Sequence, residues 1–432
     1  MNTMLQREQC IPQATTERQP LPSARHRLLS EDEKTRIAVV VTHPIQHFAP
    51  WHRKVAALPG VELKVFFCVE WGATSYFDRD FGTEVKWDIP LLDGYASEIL
   101  PRNREVKTLG FLQVDNPSIA ESLENFLPDV VQVFGYAHRT MWRAVNWCNN
   151  NQIPVLLYSD SNAAASCSLW KRLAKAIVVK NFYRRVDGAL FNGDNNHDYH
   201  IHYGLPAERL FQGALPIDKE RLALSVGDPQ TARQEIRRQH GIPDDAFVAV
   251  FSGKLSPRKS PIHLVNAIHR LAESGTDIWS ILVGEGCERS RIEQALKTRN
   301  IRNVVLAGFV NQSIIGKYYA ASDVLVVPSA YDPHPLVVPE AGCFGLPVIV
   351  SDRLGCIGKL DTARVDENTL VYPWSDIGAL TNRIMMLYAN KLLHRSMSDA
   401  ARRIADSQDI TVASLQLREA ARQLKNMGCR KR

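Results

Sequence analysis

Short, uninterrupted apolar runs constrain this chain more than any other feature. Residues 37–41 read Ile-Ala-Val-Val-Val with no polar break. A strand with one wet face would alternate, so such a run predicts a strand buried on both faces, the pattern of parallel sheets. Similar runs recur at residues 63–69, 130–134, 154–158 and 189–191, with helical spacing at 140–149 and 169–185. Strands alternating with helices predict βαβ units.

The alternation then restarts. Strand runs at residues 246–252, 279–283, 304–306, 324–327 and 348–350 are separated by helical patterns at 262–274, 289–297, 314–321 and 336–344. Residues 216–239 carry weak strand signals and many charges, which places a domain junction at their start. Beyond residue 375 the pattern is helical nearly to the end. The expected fold is α/β: two tandem Rossmann-like, doubly wound domains with a cleft between them and a C-terminal helical segment. The expected limits are a disordered tail at residues 1–35, domains at 36–215 and 216–390, and the helical segment at 391–432.

Composition narrows the function classes. The chain has 432 residues, 45% hydrophobic and 23% charged, the balance of an ordinary globular protein large enough to need no metal or disulfide staple. Its 52 Lys+Arg against 46 Asp+Glu give +6, too mild for a dedicated nucleic-acid binder. The eight cysteines show no CxxC pair and read as reduced thiols. No run reaches the roughly 18 apolar residues of a membrane span, and the first 34 residues lack the apolar core of a secretory signal. These readings point to a cytoplasmic protein, with peripheral contact at an inner membrane face left open.

Chemistry-bearing residues gather behind the strands of the second half. Gly253-Lys254 and Lys259 follow one buried run. In an open α/β sheet, loops at the carboxyl ends of strands line the ligand crevice. A glycine that turns tightly beside two cations suits a diphosphate. The next run ends in Gly284-Glu285-Gly286, which lacks the G-x-G-x-x-G spacing of a dinucleotide fingerprint. A later run enters a loop with Asp332, then a helix starting near Leu336 and Val337 that carries Glu340. Carboxylates accept hydrogen bonds from sugar and ribose hydroxyls. Taken singly, the lysines fit a solvated loop, Asp332 a helix cap and Glu340 a helix surface.

The ordered set Gly253-Lys254, Lys259, Val283-Gly284-Glu285-Gly286, Gly308-Phe309-Val310, Pro328-Ser329, Asp332 with Glu340-Ala341, and Gly345 with Pro347 resembles the GT-B glycosyltransferases of family 4. The resemblance runs from about residue 36 to the C-terminus and is most specific in the second half. It implies a retaining enzyme that takes a nucleotide-diphosphate sugar as donor substrate, with no resident cofactor and no metal. Carried over by position, Lys254 and Lys259 would hold the donor diphosphate and Glu340 the donor ribose. Gly253, Gly284, Glu285, Phe309, Val310, Leu336 and Val337 would complete the nucleotide-sugar site. Asp332 stands where the family has a glutamate facing the donor sugar, and is one methylene shorter. The family's Phe-Gly pair before the helix reads His334-Pro335 here, and Pro335 has no backbone donor.

The first half is less specific. The loop after its first run, Thr42-His43-Pro44-Ile45-Gln46-His47, has no glycine, which argues against a nicotinamide-dependent oxidoreductase. Its polar side chains, His43 and Gln46, suit a sugar at the cleft, or alternatively a capping turn. Relatives carry histidines on the strand where this chain has Gln132 and Phe134, so His138 is the nearest candidate to face the donor sugar. Asp78-Arg79-Asp80 matches the D-x-D of metal-dependent transferases of another fold, but follows no clear strand and is discounted. The segment 169–185 interleaves Lys171, Arg172, Lys175, Lys180, Arg184 and Arg185 with Trp170, Phe182 and Tyr183. At 100° per residue the charges do not share one face, so a solvated helix is expected rather than a membrane-bound one.

The partners expected are a nucleotide-sugar donor and a glycan or lipid-linked acceptor, with no nucleic acid. The alternatives are a nucleotide-sugar epimerase or hydrolase on the same fold, and a non-catalytic nucleotide-sugar-binding protein.

Overall fold

A computed structural model describes residues 34–78, 81–102, 106, 108–162 and 169–430, with residues 169–175 as backbone only. The expected tail up to residue 33, Arg79 and Asp80, and the side chains of Trp170, Lys171, Arg172 and Lys175 lie outside the described residues.

The first half runs β1 (Thr35–Val41), α1 (Ala49–Ala56), β2 (Val61–Phe67), β3 (Tyr76–Asp78), β4 (Thr83–Val85), β5 (Ala96–Ile99), α2 (Ile119–Phe126), β6 (Val130–Phe134), α3 (Arg139–Asn151), β7 (Val155–Tyr158), α4 (Leu169–Tyr183), β8 (Gly188–Phe191), α5 (Asp194–His202) and β9 (Leu210–Gln212). Seven of these strands form one sheet in the order β5-β2-β1-β6-β7-β8-β9. Every pairing in it is parallel. Ile37, Val39 and Val41 meet Trp51 of α1 on one face, while Ala38 and Val40 meet Leu123, Met141 and Phe182 on the other. Burial on both faces is why β1 is apolar at every inner position.

The second half runs α6 (Lys219–Val226), α7 (Pro229–Gln239), β10 (Phe247–Ser252), α8 (Ile262–Glu273), β11 (Ile278–Val283), α9 (Arg289–Thr298), β12 (Val304–Gly308), α10 (Ile315–Ala320), β13 (Val324–Val327), α11 (Val337–Cys343), β14 (Val348–Ser351), β15 (Thr369–Tyr372), α12 (Ile377–Ala389), α13 (Lys391–Asp406) and α14 (Ile410–Met427). Its six-stranded sheet has the order β12-β11-β10-β13-β14-β15, again all parallel. Leu222, Ile236, Tyr319 and Val338 cover one face, and Leu264, Ile292 and Leu380 the other.

Both sheets grow outward from their first strand and then restart on its other side. Strand order therefore reverses beside β1 and β6 in the first sheet and beside β10 and β13 in the second. In such sheets the ligand crevice opens outside the carboxyl ends of the strands at that reversal.

Three features add to the sequence reading. The stretch 216–239, poor in strand signals, holds α6 and α7, each started by an aspartate, Asp218 and Asp228, that caps its first turn. The helical C-terminus divides between the two halves. α13 packs on α11, whereas α14 returns to α1 and the first sheet, where Leu417 and Leu424 join the core. The two crossings between halves lie side by side, tied by Ile217 N–H to Gln408 O at 3.0 Å and Ile410 N–H to Ile217 O at 2.9 Å. Finally, Asp78 does end a strand: β3 and β4 form a small antiparallel hairpin outside the first sheet. A three-residue strand has too few positions to show a pattern in sequence.

No helix among the described residues is long and apolar enough to cross a membrane. The described part of α4 presents exposed Ile177 and Val178 beside Lys180, with exposed Arg184 just past its end, mixed rather than sorted by face.

Candidate functional site

Gly253 and Lys254 leave β10 at the reversal of the second sheet. Gly253 N–H bonds Val283 O at 2.9 Å, and Leu255 N–H bonds Glu285 O at 2.7 Å, so this loop is zipped to the one after β11. The approach is so close that a Cβ on Gly284, whose φ is +140°, would fall 1.9 Å from the Gly253 carbonyl oxygen. Only glycine fits there. The Glu285 side chain pairs with Arg289.

The two lysines are each matched by a carboxylate. Lys259 Nζ contacts Asp332 Oδ2, with both side chains largely buried. Lys254 Nζ lies 3.0 and 3.1 Å from the oxygens of Asp78, a residue of the first half, and 4.8 Å from the centroid of the Phe81 ring. Asp332 does not cap α11, whose N-cap is Leu336 with no side-chain cap bond. Its backbone instead pairs with Leu354, and its carbonyl accepts Gly355 N–H at 2.8 Å.

The hairpin that carries Asp78 straps the halves together. Phe309 packs edge-on against Phe81 and tilts against Trp87, with centroids at 5.4 and 5.9 Å. Asn311 donates to Lys86 O at 2.7 Å, and Ser313 N–H reaches the Asp88 carboxylate at 3.2 Å. Val310 belongs to the apolar packing of the second half.

From the first sheet, His43 follows β1 and His138 follows β6, flanking the reversal. Burial pushes the His43 imidazole down to about 4, neighbouring His138 adds to that, and Asp78 opposes it. Burial lowers His138 as well. Both rings are therefore neutral at physiological pH, and the Nδ1 of each has no hydrogen-bond partner among the described residues. His43, His138, Asp78 and Lys254 thus converge from two domains.

Gln46 and Glu340 go elsewhere. With His47, Arg221 and neighbours they line a tight crevice between the halves. Glu340 accepts from the Tyr319 hydroxyl at 3.0 Å, and its Oε1 lies 3.4 Å from His47 Nδ1. Burial pushes Glu340 up to about 7 and His47 down to about 4, so between those values the contact is between neutral groups. His43 and Gln46, paired in the sequence reading, therefore face different partners.

A cavity of about 590 Å³ lies at the carboxyl ends of β6, β7 and β8. Phe134, Tyr136, Tyr158 and Asn192 wall it on one side, and His334 and Leu336 close it from the second half. Its size falls within the roughly 300–1,000 Å³ of small-ligand sites. Val337, the first residue of α11, lies behind Leu336 in the apolar packing. Among the described residues no cluster of three His, Cys, Asp or Glu side chains could hold a metal ion.

Residues 232–404, which contain both lysines, Asp332 and Glu340, match the model of the family described as glycosyl transferases group 1. An uncharacterized glycosyltransferase of Methanocaldococcus jannaschii is 34% identical over 116 residues, covering 27% of this chain and 30% of that protein. A D-inositol 3-phosphate glycosyltransferase of Streptomyces coelicolor is 30% identical over 218 residues, or 48% of this chain and 46% of that protein. These alignments span less than half the length of either relative. The fold likeness is wider than the group 1 match. The crystal structure of Anabaena HepE in complex with UDP superposes with a TM-score of 0.68 at 16% identity, covering 90% of this chain and 100% of HepE. The two-domain arrangement is that of the GT-B glycosyltransferase structures.

The residues not legible beforehand are Asp78, His47, Arg221 and Asp361. The D-x-D pattern marked Asp78, though for a metal role. The others carry no sequence signal, because their partners lie far away in the chain.

Proposed function

We propose that the chain is a retaining glycosyltransferase that moves a sugar from a nucleotide-diphosphate sugar to an acceptor hydroxyl on a glycan, polysaccharide or lipid-linked molecule. The observation that carries this reading is the convergence of Lys254 and Asp78 with His43 and His138 beside the two sheet reversals, with Lys259 on the same loop as Lys254. The group 1 match of residues 232–404, which carry both lysines, and the UDP bound to HepE support it.

In this reading the donor diphosphate takes the place of Asp78 at Lys254 and adds to Asp332 at Lys259. A buried ion pair is weak evidence of a stabilising role, and two such lysines on one crevice suit an anionic ligand. The acceptor oxygen bonds the anomeric carbon from the face the diphosphate leaves. The carbon–diphosphate bond breaks, and the acceptor proton passes to the departing phosphate oxygen. Both lysines stabilise the charge that develops there, so no protein nucleophile and no metal ion is required. His43 and His138, held neutral, are placed to bond sugar hydroxyls. Asp332 accepts from the donor sugar, and Glu340 serves the ribose once the crevice around it opens.

Thermal shifts with UDP, GDP, ADP and dTDP test the nucleotide site. At least one should raise the melting temperature, by RT ln(1 + [L]/Kd) of added stability. Incubating the matching nucleotide sugar with glycan acceptors in excess EDTA should then give product with retained configuration. Release of free sugar or an epimer alone, binding without any turnover, or activity that returns only with Mg²⁺ or Mn²⁺, would reject the reading.

A further inference from the structure

His334 lies between Pro333 and Pro335 on the loop from β13 to α11, so the backbone on both sides is restrained. Its side chain is only 1% exposed, and Nε2 sits 3.0 Å from Oδ1 of Asp361. A carboxylate accepts and does not donate, so Nε2 donates to Asp361, and in the neutral tautomer that this contact selects Nδ1 is the acceptor. Nδ1 has no hydrogen-bond partner among the described residues, although His334 is a wall of the 590 Å³ cavity.

Asp361 is built to hold that ring still. It is wholly buried, and Oδ2 accepts the Asp194 N–H of the first half at 2.9 Å. The Asp194 carboxylate in turn accepts Leu360 N–H at 3.0 Å. Space for the Asp361 carboxylate comes from two glycines. A Cβ on Gly193 would fall 1.8 Å from Oδ1, and one on Gly358 would fall 2.3 Å from Oδ2. The imidazole is therefore aligned by contacts from both halves, and its second nitrogen meets no hydrogen-bond partner among the described residues. A buried acceptor without a partner is costly to keep unless a ligand supplies the donor.

The rest of the cavity indicates which ligand. Phe134, Tyr136 and Tyr158 contribute aromatic rings to its wall, while Asp160 and Asn192 contribute polar side chains. Flat apolar faces beside convergent hydrogen-bonding groups match a hydroxylated sugar ring. We propose that His334, oriented by Asp361, determines sugar specificity by accepting a hydrogen bond from one hydroxyl of a sugar bound in this cavity. This rests on the glycosyltransferase reading and names a residue beyond it. The sugar is either the one carried by the donor or one on the acceptor.

The test compares three full-chain variants by calorimetry with UDP, UDP-glucose, GDP and GDP-mannose, and by transfer kinetics. His334→Gln keeps a group at the Nε2 position for Asp361 but has none at Nδ1. His334→Asn keeps an acceptor near Nδ1, and His334→Phe keeps neither. For a donor sugar, Gln and Phe should weaken nucleotide-sugar binding about tenfold, leave the bare diphosphate unchanged, and Asn should recover most of the loss. For an acceptor sugar, nucleotide-sugar binding should hold while acceptor KM rises about tenfold at near-constant kcat, again with rescue by Asn. A Gln variant within twofold of wild type in both assays overturns the role of His334 and leaves the transferase reading standing. Equal loss in Gln and Asn, with a lowered melting temperature, makes the ring structural and overturns the proposal too. Wild-type protein that binds none of UDP, GDP, ADP and dTDP overturns both.

Discussion

The two sheet reversals hold chemistry of different kinds. In the second half the site is backbone-limited. Two loops are zipped together, glycine is required where one carbonyl approaches at 1.9 Å from a would-be Cβ, and the lysines sit on that rigid frame. In the first half the site is side-chain-limited. His43 and His138 project from ordinary turns, and Gly135 beside them has open space around its missing Cβ. In the proposed reading the second half meets a diphosphate, which presents the same geometry whatever sugar it carries, so strict backbone geometry can hold it. A surface that meets a variable sugar or acceptor needs adjustable side chains instead. The group 1 match covers residues 232–404, whereas the fold likeness covers 90% of the chain, which fits that division.

The sharpest way to break the comparison is a matched pair of glycine substitutions. Gly284→Ala meets a carbonyl and a disallowed φ, so it should cut transfer more than about a hundredfold, following from a displaced phosphate loop, and lower the melting temperature. Gly135→Ala, at φ +74° with nothing within 4 Å, should cost only the left-handed strain of roughly 1–2 kcal/mol. Equal effects in both assays would erase the distinction.

Asp332→Asn comes next. It removes the carboxylate that meets Lys259 and, in the proposed site, the donor sugar. Loss of about 1.5–3 kcal/mol or more predicts a tenfold to several-hundredfold fall in kcat/KM. Although Asp332 caps no helix, Asn leaves the largely buried Lys259 without its counter-charge, so calorimetric melting should also show a loss of stability.

Lys259→Ala should weaken binding of the bare nucleoside diphosphate on the order of tenfold. His138→Ala, in the other half, should leave that affinity alone and lower transfer. A diphosphate affinity that follows His138 and ignores Lys259 would invert the assignment of the two halves.

Glu340→Gln separates stability from binding. The folded value of Glu340 is about 7 against an ordinary 4.5, so the folded protein holds a proton that the unfolded chain releases between them. That contribution is fully present below about pH 4.5 and is lost as pH rises to about 7. Glutamine cannot ionise. The variant should melt like wild type near pH 4 and be more stable near pH 8 by on the order of 3 kcal/mol, while its donor affinity falls. Melting curves of the two proteins that run parallel across this range would remove the buried carboxylate from the account.

The smallest effect is expected at the strap. Asp78→Asn releases Lys254 from its carboxylate, and donor KM should drop a few-fold, as for a partly exposed ion pair worth roughly 1 kcal/mol. A rise in KM would instead place Asp78 in the donor site.

How much was legible follows from what each feature depends on. The strands of both sheets were readable wherever burial on two faces removed every polar residue, as at residues 37–41 and 348–350. The short elements β3, β4, β5 and β9 were not, since they are partly exposed and include polar residues, which leaves no apolar run to read. Gly253, Lys254, Lys259, Asp332 and Glu340 stand at characteristic spacings, so they could be named as candidates from order alone. Where Glu340 points could not, because His47 and Arg221 reach it from segments about 290 and 120 residues away in sequence.

Local chemistry thus determined the alternating elements, the two sheets and the lysine loops, because burial and backbone geometry act over a few neighbouring residues. Tertiary structure decided which groups meet. It brought Asp78 to Lys254 and Asp361 to His334, and it sent α14 back to the first sheet. Those contacts depend on how two independently built cores dock, and a side chain carries no mark in its own sequence neighbourhood of a partner supplied by the other core.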